Sequence, residues 1–222
     1  MLKSLYSCEK RCPCQYIPSS TQFIVITGGP GAGKTAVLEF VRKVFCEHVA
    51  ILPEAASILF SGGFWRLESP SAQIAVQKAI FYVQTEMQSL VLNERKWAVG
   101  LCDRGTLDGA AYWPGPEDAF CSELNTTVKQ EYNKYIAVIH LSTPALKGGY
   151  NHQNPIRIET AEQAAIIDQK IHEIWKHHPN YSRIDSTGDF IEKVNRATLA
   201  IYSYLPTCCR EHLNELLKRN IK

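Results

Sequence analysis

The chain has 222 residues, 45% hydrophobic and 21% charged, a globular composition long enough for one α/β domain with its own core. Twenty-four basic against 22 acidic side chains leave a formal charge of +2, so no nucleic-acid-binding surface is expected. No apolar run approaches the roughly 18–20 residues of a bilayer span, and collagen-like, coiled-coil and disordered classes fail on composition.

Residues 1–20 read as a flexible, polar leader carrying Cys8, Cys12 and Cys14 and lacking the apolar stretch of a secretory signal. The eight cysteines are therefore expected as reduced thiols of a cytoplasmic protein. The leader's cysteine spacing fits no common zinc pattern. Residues 22–27, QFIVIT, are apolar and β-branched and run into glycines, the pattern of a buried parallel strand. Over 34–47, Val37, Leu38, Val41, Val44 and Phe45 recur at helical spacing. A second strand fits 49–52 and ends at Pro53-Glu54. A long helix fits 70–95, with Ile74, Ala75, Ile80, Phe81, Val83, Met87, Leu90 and Val91 turned inward.

Further strands fit 97–102 and 135–141. The polar stretch 144–160 reads as a loop. A helix over 160–178 opens on Thr160 with Gln163 three residues on, a capping-box pattern. A weaker strand fits 181–185, and helices fit 189–204 and 207–219. Strands alternating with helices imply βαβ units and a parallel sheet. The expected organisation is a leader (1–20), one domain (21–205) and a C-terminal helix with a basic tail (206–222).

The decisive motif is Gly28-Gly29-Pro30-Gly31-Ala32-Gly33-Lys34-Thr35, which fits G-x-x-x-x-G-K-[ST] between a strand and a helix. Glycines let successive backbone N–H groups converge on phosphate oxygens, and the following helix adds its positive end. The nucleotide contacts expected are Gly29, Gly31, Ala32, Gly33, Lys34, Thr35 and Ala36. Lys34 would reach the β- and γ-phosphates, and the Thr35 hydroxyl would ligate Mg²⁺. The motif implies ATP or GTP. It does not choose between a kinase, a switch and a motor.

Ligands of open α/β sheets bind beyond the carboxyl ends of the strands. Asp103, at one such end, is expected to hold the metal with Thr35, directly or through water. Arg104 is a candidate for a phosphate or acceptor contact. Glu54 would accept a proton from an attacking hydroxyl or hold a sugar hydroxyl. In the 144–160 loop, Arg157, then Lys147, are the candidate lid cations. Phe64, Trp65, Gln73, Gln77, Phe81, Tyr112 and Trp113 are candidates for an acceptor pocket. Cys208-Cys209 ahead of Lys218, Arg219 and Lys222 reads as a helix end with a solvated basic tail, without a prenylation box.

The phosphate loop, the strand-end Glu54, the Asp103-Arg104-Gly105 triplet, the segment NPIRIETAEQAAIIDQKIHEIWKHHP and the turn RIDSTGDF occur in this order. Together they resemble the P-loop AAA-domain nucleotide-binding family that includes the nicotinamide riboside kinase domain, over about residues 21–205. The chain is more loosely similar to deoxynucleoside and thymidylate kinases. The resemblance implies a three-layer α/β/α P-loop NTPase fold, kinase-like with a lid, whose five-stranded parallel sheet is ordered 2-3-1-4-5. It implies Lys34, Thr35 and Asp103 at nucleotide and metal, Arg157 as the lid arginine, and Thr187, Gly188 and Asp189 in the turn beside the base.

Two functions remain open. One is a phosphotransferase moving the γ-phosphoryl of ATP or GTP to a nucleoside-like small molecule, with Lys34, Glu54, Asp103, Arg104 and Arg157 as its machinery. The other is a slow NTPase acting as a nucleotide-dependent switch, read by a protein or a phosphoinositide through peripheral lipid contact, as an animal branch of the resembled family implies. The absence of an N-K-x-D guanine motif weakens a Ras-like reading. Oligomeric state is not legible.

Overall fold

β1 (Gln22–Thr27) lies at the centre of the sheet, because every residue after Gln22 can be buried on either face. In the computed structural model the described residues are 18–144, 160–186, 189–211 and 214. β2 (Val49–Leu52), β3 (Val99–Asp103), β4 (Tyr135–Leu141) and β5 (Tyr181–Ile184) complete a parallel sheet in the order β2-β3-β1-β4-β5, as the family resemblance implied. In β1, Ile24 sits opposite Leu101 of β3 and Ala137 of β4.

Alternate β1 side chains serve two cores, as the pleat requires. Ile24 and Ile26 pack with Val37, Leu38 and Val41 of α1 (Lys34–Val44) and with Ala197 and Ile201 of α7 (Phe190–Tyr202). Phe23 and Val25 face the other way, toward Phe81 of α3 (Pro70–Glu94) and Ile171 and Trp175 of α6 (Ala161–Trp175). Each of the larger of these side chains stabilises the fold by about 1.5–3 kcal/mol. The result is three layers, with the phosphate loop at the carboxyl edge of β1.

Three short helices carry too few residues for a period to show in the sequence: α2 (Ala55–Ser61), α4 (Glu117–Glu123) and α5 (Val128–Tyr132). A 3₁₀ segment, Thr106–Tyr112, follows β3. α1 stops at Val44 rather than 47, because Cys46 and His48 turn the chain into β2.

The inward stripe of α3 differs from the apolar one expected. Val76, Gln77, Phe81, Gln84, Gln88 and Val91 are buried, whereas Ala75 is exposed and Leu90 is 60% exposed. Two of the three glutamines turn inward with partners: Gln84 donates to the Arg104 carbonyl and Gln88 to the Tyr135 hydroxyl, 2.9 Å. Buried amides that are hydrogen-bonded cost little, so an apolar count alone misplaces the face. Ser69 caps α3, with Pro70 at its first position. α6 opens on the expected Thr160–Gln163 capping box. After α7, residues 207–211 are helical. The leader cysteines Cys8, Cys12 and Cys14 and the basic residues Lys218, Arg219 and Lys222 lie outside the described residues.

Candidate nucleotide site

The phosphate loop turns on glycines where no other residue fits. Gly28 has φ 134°, and a Cβ there would lie 2.1 Å from the Leu141 carbonyl oxygen. Gly33, at φ 90°, is the N-cap of α1, and a Cβ there would meet the Phe190 ring at 2.8 Å. Lys34 is buried, and its ammonium donates to the carbonyls of Gly28 (2.9 Å) and Gly29 (3.1 Å). Burial and the nearby Arg104 lower its pKa to about 8. Thr35 is exposed at the mouth of the same cleft.

The ends of β2 and β3 bring Glu54, Asp103 and Arg104 beside this loop. Arg104 has φ 79°, left-handed backbone that is strained for a side-chain-bearing residue. Its Nε donates to Glu54 Oε1 at 2.6 Å and its Nη1 to the Gly28 carbonyl at 3.4 Å. Ser57 donates to the other Glu54 oxygen at 2.5 Å. Burial pushes the Glu54 pKa up, but Arg104, Lys34 and Ser57 outweigh it and hold the carboxyl at about 2. Asp103 goes the other way. Burial dominates, and its carboxyl is raised to about 6 despite Lys34.

Asp108, Asp168 and Lys193 support the site and were not anticipated. Asp108 is 2% exposed and accepts from Thr27 Oγ1 (2.5 Å), Trp175 Nε1 (2.7 Å) and Arg104 Nη1 (3.5 Å). Asp168 accepts from the backbone N–H of Gly29 (2.7 Å) and of Thr143 (3.2 Å), and it pairs with His140 Nε2 at 3.1 Å. Lys193 donates to the carbonyls of Ala32 (2.8 Å) and Ser142 (2.6 Å) and to Ser186 Oγ (2.7 Å). A signal for Asp168 was present: it sits among Ala164, Ile171 and Trp175 on one helical face, a charge inside an apolar stripe. Asp108 lies four residues after Arg104, with which it pairs at 3.5 Å.

Of the residues singled out from sequence, Gly31, Lys34, Thr35, Glu54, Asp103 and Arg104 line one cleft of about 360 Å³. The same cleft is also lined by Phe60, Arg66, Gln73, Gln77 and Tyr112. Phe81 and Trp113 are core residues, stacked edge-on against Phe120, and Trp65 is 79% exposed, so these three and Phe64 do not line the cleft. Gly29, Ala32, Gly33 and Ala36 lie along the loop and the first turn of α1. Asp189 is the exposed N-cap of α7, next to the Phe190 that abuts Gly33. Lys147, Arg157, Thr187 and Gly188 lie outside the described residues.

A divalent cation suits the donors present. The buried Oδ1 of Asp103 has no hydrogen-bond partner among the described residues, and Asp103 and Thr35 border the same cleft. An anionic oxygen paired with a hydroxyl is a hard-ligand set fitted to Mg²⁺. Among the described residues, no helix is long and apolar enough to cross a membrane.

A protein-family model described as "AAA domain" matches residues 23–193. No curated protein matches the sequence. Among solved structures, deoxyadenosine kinase from M. mycoides with bound dATP is similar in fold, with a TM-score of 0.54 over 81% of this chain and 98% of that one, at 15% identity.

Proposed function

The chain belongs to the AAA-domain family of P-loop proteins, and we propose that this member is a small-molecule kinase. It would move the γ-phosphoryl of ATP or GTP to a hydroxyl of a nucleoside-like acceptor. The observation that carries this reading is one cleft whose lining joins phosphate-loop residues to amide and aromatic side chains. Gly31, Lys34 and Thr35 suit a polyphosphate. Gln73, Gln77, Phe60 and Tyr112 offer amides and aromatic faces to a ring. Glu54, Asp103 and Arg104 stand in the same cleft, and in-line transfer calls for charge of both signs. The fold shared with a deoxyadenosine kinase supports an acceptor of this class.

On this reading Lys34 exchanges its loop carbonyls for phosphate oxygens, and backbone N–H groups of the loop hold the rest. Glu54, ionised and braced by Arg104, accepts a hydrogen bond from the acceptor hydroxyl and aims its oxygen at phosphorus. The new O–P bond forms as the β–γ bridge breaks, the nucleoside diphosphate leaves, and the hydroxyl proton passes along Glu54 to solvent. Thr35 and Asp103 would hold Mg²⁺, which when bound would spread the developing charge. Arg157, then Lys147, are the residues proposed to supply a lid cation, and Thr187, Gly188 and Asp189 those proposed for the base.

The test is nucleoside-diphosphate release from Mg·ATP and Mg·GTP, with and without nucleosides, nicotinamide riboside included, and their monophosphates. Release that depends on one acceptor establishes the kinase and names its substrate. Tight nucleotide binding with only slow, acceptor-independent hydrolysis overturns it in favour of a switch.

A further inference from the structure

A second group of chemically reactive side chains lies at the opposite end of the sheet from the phosphate loop. α1 starts at Lys34 and ends at Val44, so Cys46 comes after its far end. His48 sits just before β2, whose other end leads to Glu54. The backbone there is pinned: the His48 carbonyl accepts from the N–H groups of Ala98 (2.9 Å) and Val99 (3.2 Å). Cys208 and Cys209 come from the helical turn that follows Pro206, and the Cys209 N–H donates to the Pro206 carbonyl at 3.0 Å.

The ligand-type atoms of Cys46, His48 and Cys209 all lie within 4.8 Å of one another, and all three residues are buried. His48 Nδ1 is 3.4 Å from Cys46 Sγ, 3.7 Å from Cys208 Sγ and 3.9 Å from Cys209 Sγ. Cys208 Sγ is 4.0 Å from Cys209 Sγ. A tetrahedral zinc with Zn–S near 2.3 Å and Zn–N near 2.0–2.1 Å sets sulfurs about 3.8 Å apart and nitrogen about 3.5 Å from each sulfur. Four of these five separations are close to those values, and in the sixth pair Cys208 Sγ lies outside the 4.8 Å group of Cys46, His48 and Cys209 and must draw toward Cys46 as the ion enters. The fifth, Cys46 Sγ to Cys209 Sγ at 2.6 Å, must open by about 1.2 Å to admit the ion.

We propose that Cys46, His48, Cys208 and Cys209 form a structural site for a soft divalent cation, zinc by its ligand chemistry, that fastens the C-terminal helix to the foot of the sheet. Three thiols would each release a proton to solvent on binding, and His48 would ligate as neutral imidazole through Nδ1. Three thiolates and one imidazole close the coordination sphere, which is the pattern of a structural rather than a catalytic zinc. A single imidazole nitrogen converging on three sulfurs is what a metal requires and a disulfide does not. The site also gives a reason for the cysteine pair at 208–209 that nucleotide chemistry leaves unexplained.

The test is the metal content of the purified full chain, measured by mass spectrometry of the elements. About one zinc per chain is expected in the unmodified protein, in Cys121→Ser and in a Cys8→Ser, Cys12→Ser, Cys14→Ser triple variant. Cys46→Ser and Cys209→Ser should each fall below about a tenth of that content. Cobalt exchanged into the unmodified protein should show intense tetrahedral d–d bands and thiolate-to-cobalt charge transfer, a readout that needs no variant to fold. Three outcomes overturn the proposal. One is a metal-free chain without the cobalt signature. Another is a chain two hydrogens lighter than fully reduced, with Cys46 and Cys209 linked, which makes the pair a disulfide. The third is zinc lost only from the leader triple variant.

Discussion

Arg104 Nε donates to Glu54 Oε1 at 2.6 Å although 50 residues separate them. Two strand-end charges read separately from sequence are thus one ion pair. The same guanidinium also reaches the Gly28 carbonyl at 3.4 Å. Glu54 is therefore ionised and oriented before any ligand arrives, a hydrogen-bond acceptor of fixed direction rather than a reservoir for a proton.

Replacing Glu54 with Gln keeps the shape and removes the charge. In the kinase reading, acceptor-dependent turnover falls about 10²-fold, while nucleotide affinity changes by less than about 3-fold. Steady-state kinetics beside equilibrium nucleotide titration separate the two. Equal turnover in both proteins would sink the role given to Glu54.

Asp103 predicts opposite effects on stability and function. Its carboxyl, normally near 3.8, is raised by burial to about 6. The folded state therefore holds that proton more tightly than the unfolded state does. The resulting stability is complete below about 3.8 and is lost as pH rises through 6. At pH 7.5 Asp103→Asn should stabilise the nucleotide-free protein by about 1–2 kcal/mol, with about half that effect near pH 5 and little below about 3.8. It should also abolish the response of nucleotide binding to Mg²⁺. Thermal melts at the two pH values and a Mg²⁺ titration test this, and a lowered melting temperature at pH 7.5 argues against it.

Asp168 should matter through the loop it holds. Asp168→Ala removes the acceptor of the Gly29 and Thr143 N–H groups and the partner of His140, at a cost of about 2–4 kcal/mol. Nucleotide affinity should fall about 10-fold as the loop loses its brace. Burial opposes ionisation, but the His140 hydrogen bond and charge, with the backbone donors, bring the carboxyl to about 2. Its stabilising effect is present above about 3.8 and disappears as pH falls toward 2, so the two proteins should converge in acid. Denaturant midpoints measured from neutral to strongly acidic pH give the comparison. A gap that does not narrow in acid contradicts the assignment.

Gly105 packs against the core beneath the site. A Cβ there would lie 2.3 Å from Trp175 Cζ2 and 3.1 Å from Val25 Cγ1. Its φ of −92° is ordinary, so the penalty of Gly105→Ala is steric alone. Overpacking of this kind costs about 1–3 kcal/mol. A denaturant midpoint within error of the unmodified protein would show that Trp175 yields freely.

The sequence alone determined the phosphate loop, the five strands and the family likeness, because these rest on local constraints. A turn that needs φ above zero admits glycine, and a strand buried on both faces must be apolar throughout. Both leave marks that one window of sequence shows. The strand-end residues Glu54, Asp103 and Arg104 were legible for the same reason, since the carboxyl end of a strand is a place in the chain. What only the tertiary structure decided were the pairings. Asp168 finds the Gly29 N–H 139 residues away, Asp108 finds the Thr27 hydroxyl 81 away, and Cys46 meets Cys209 across 163. The buried glutamines of α3 belong with these, because a polar side chain is buried when a distant partner satisfies it. Phe81 and Trp113 divided from Tyr112 likewise: all three are aromatic, and only packing sends two to the core and leaves one in the cleft. Hydrogen bonds and close packing are short-ranged in space and indifferent to separation along the chain. A window of sequence therefore shows which residues need partners, and the fold selects the partners.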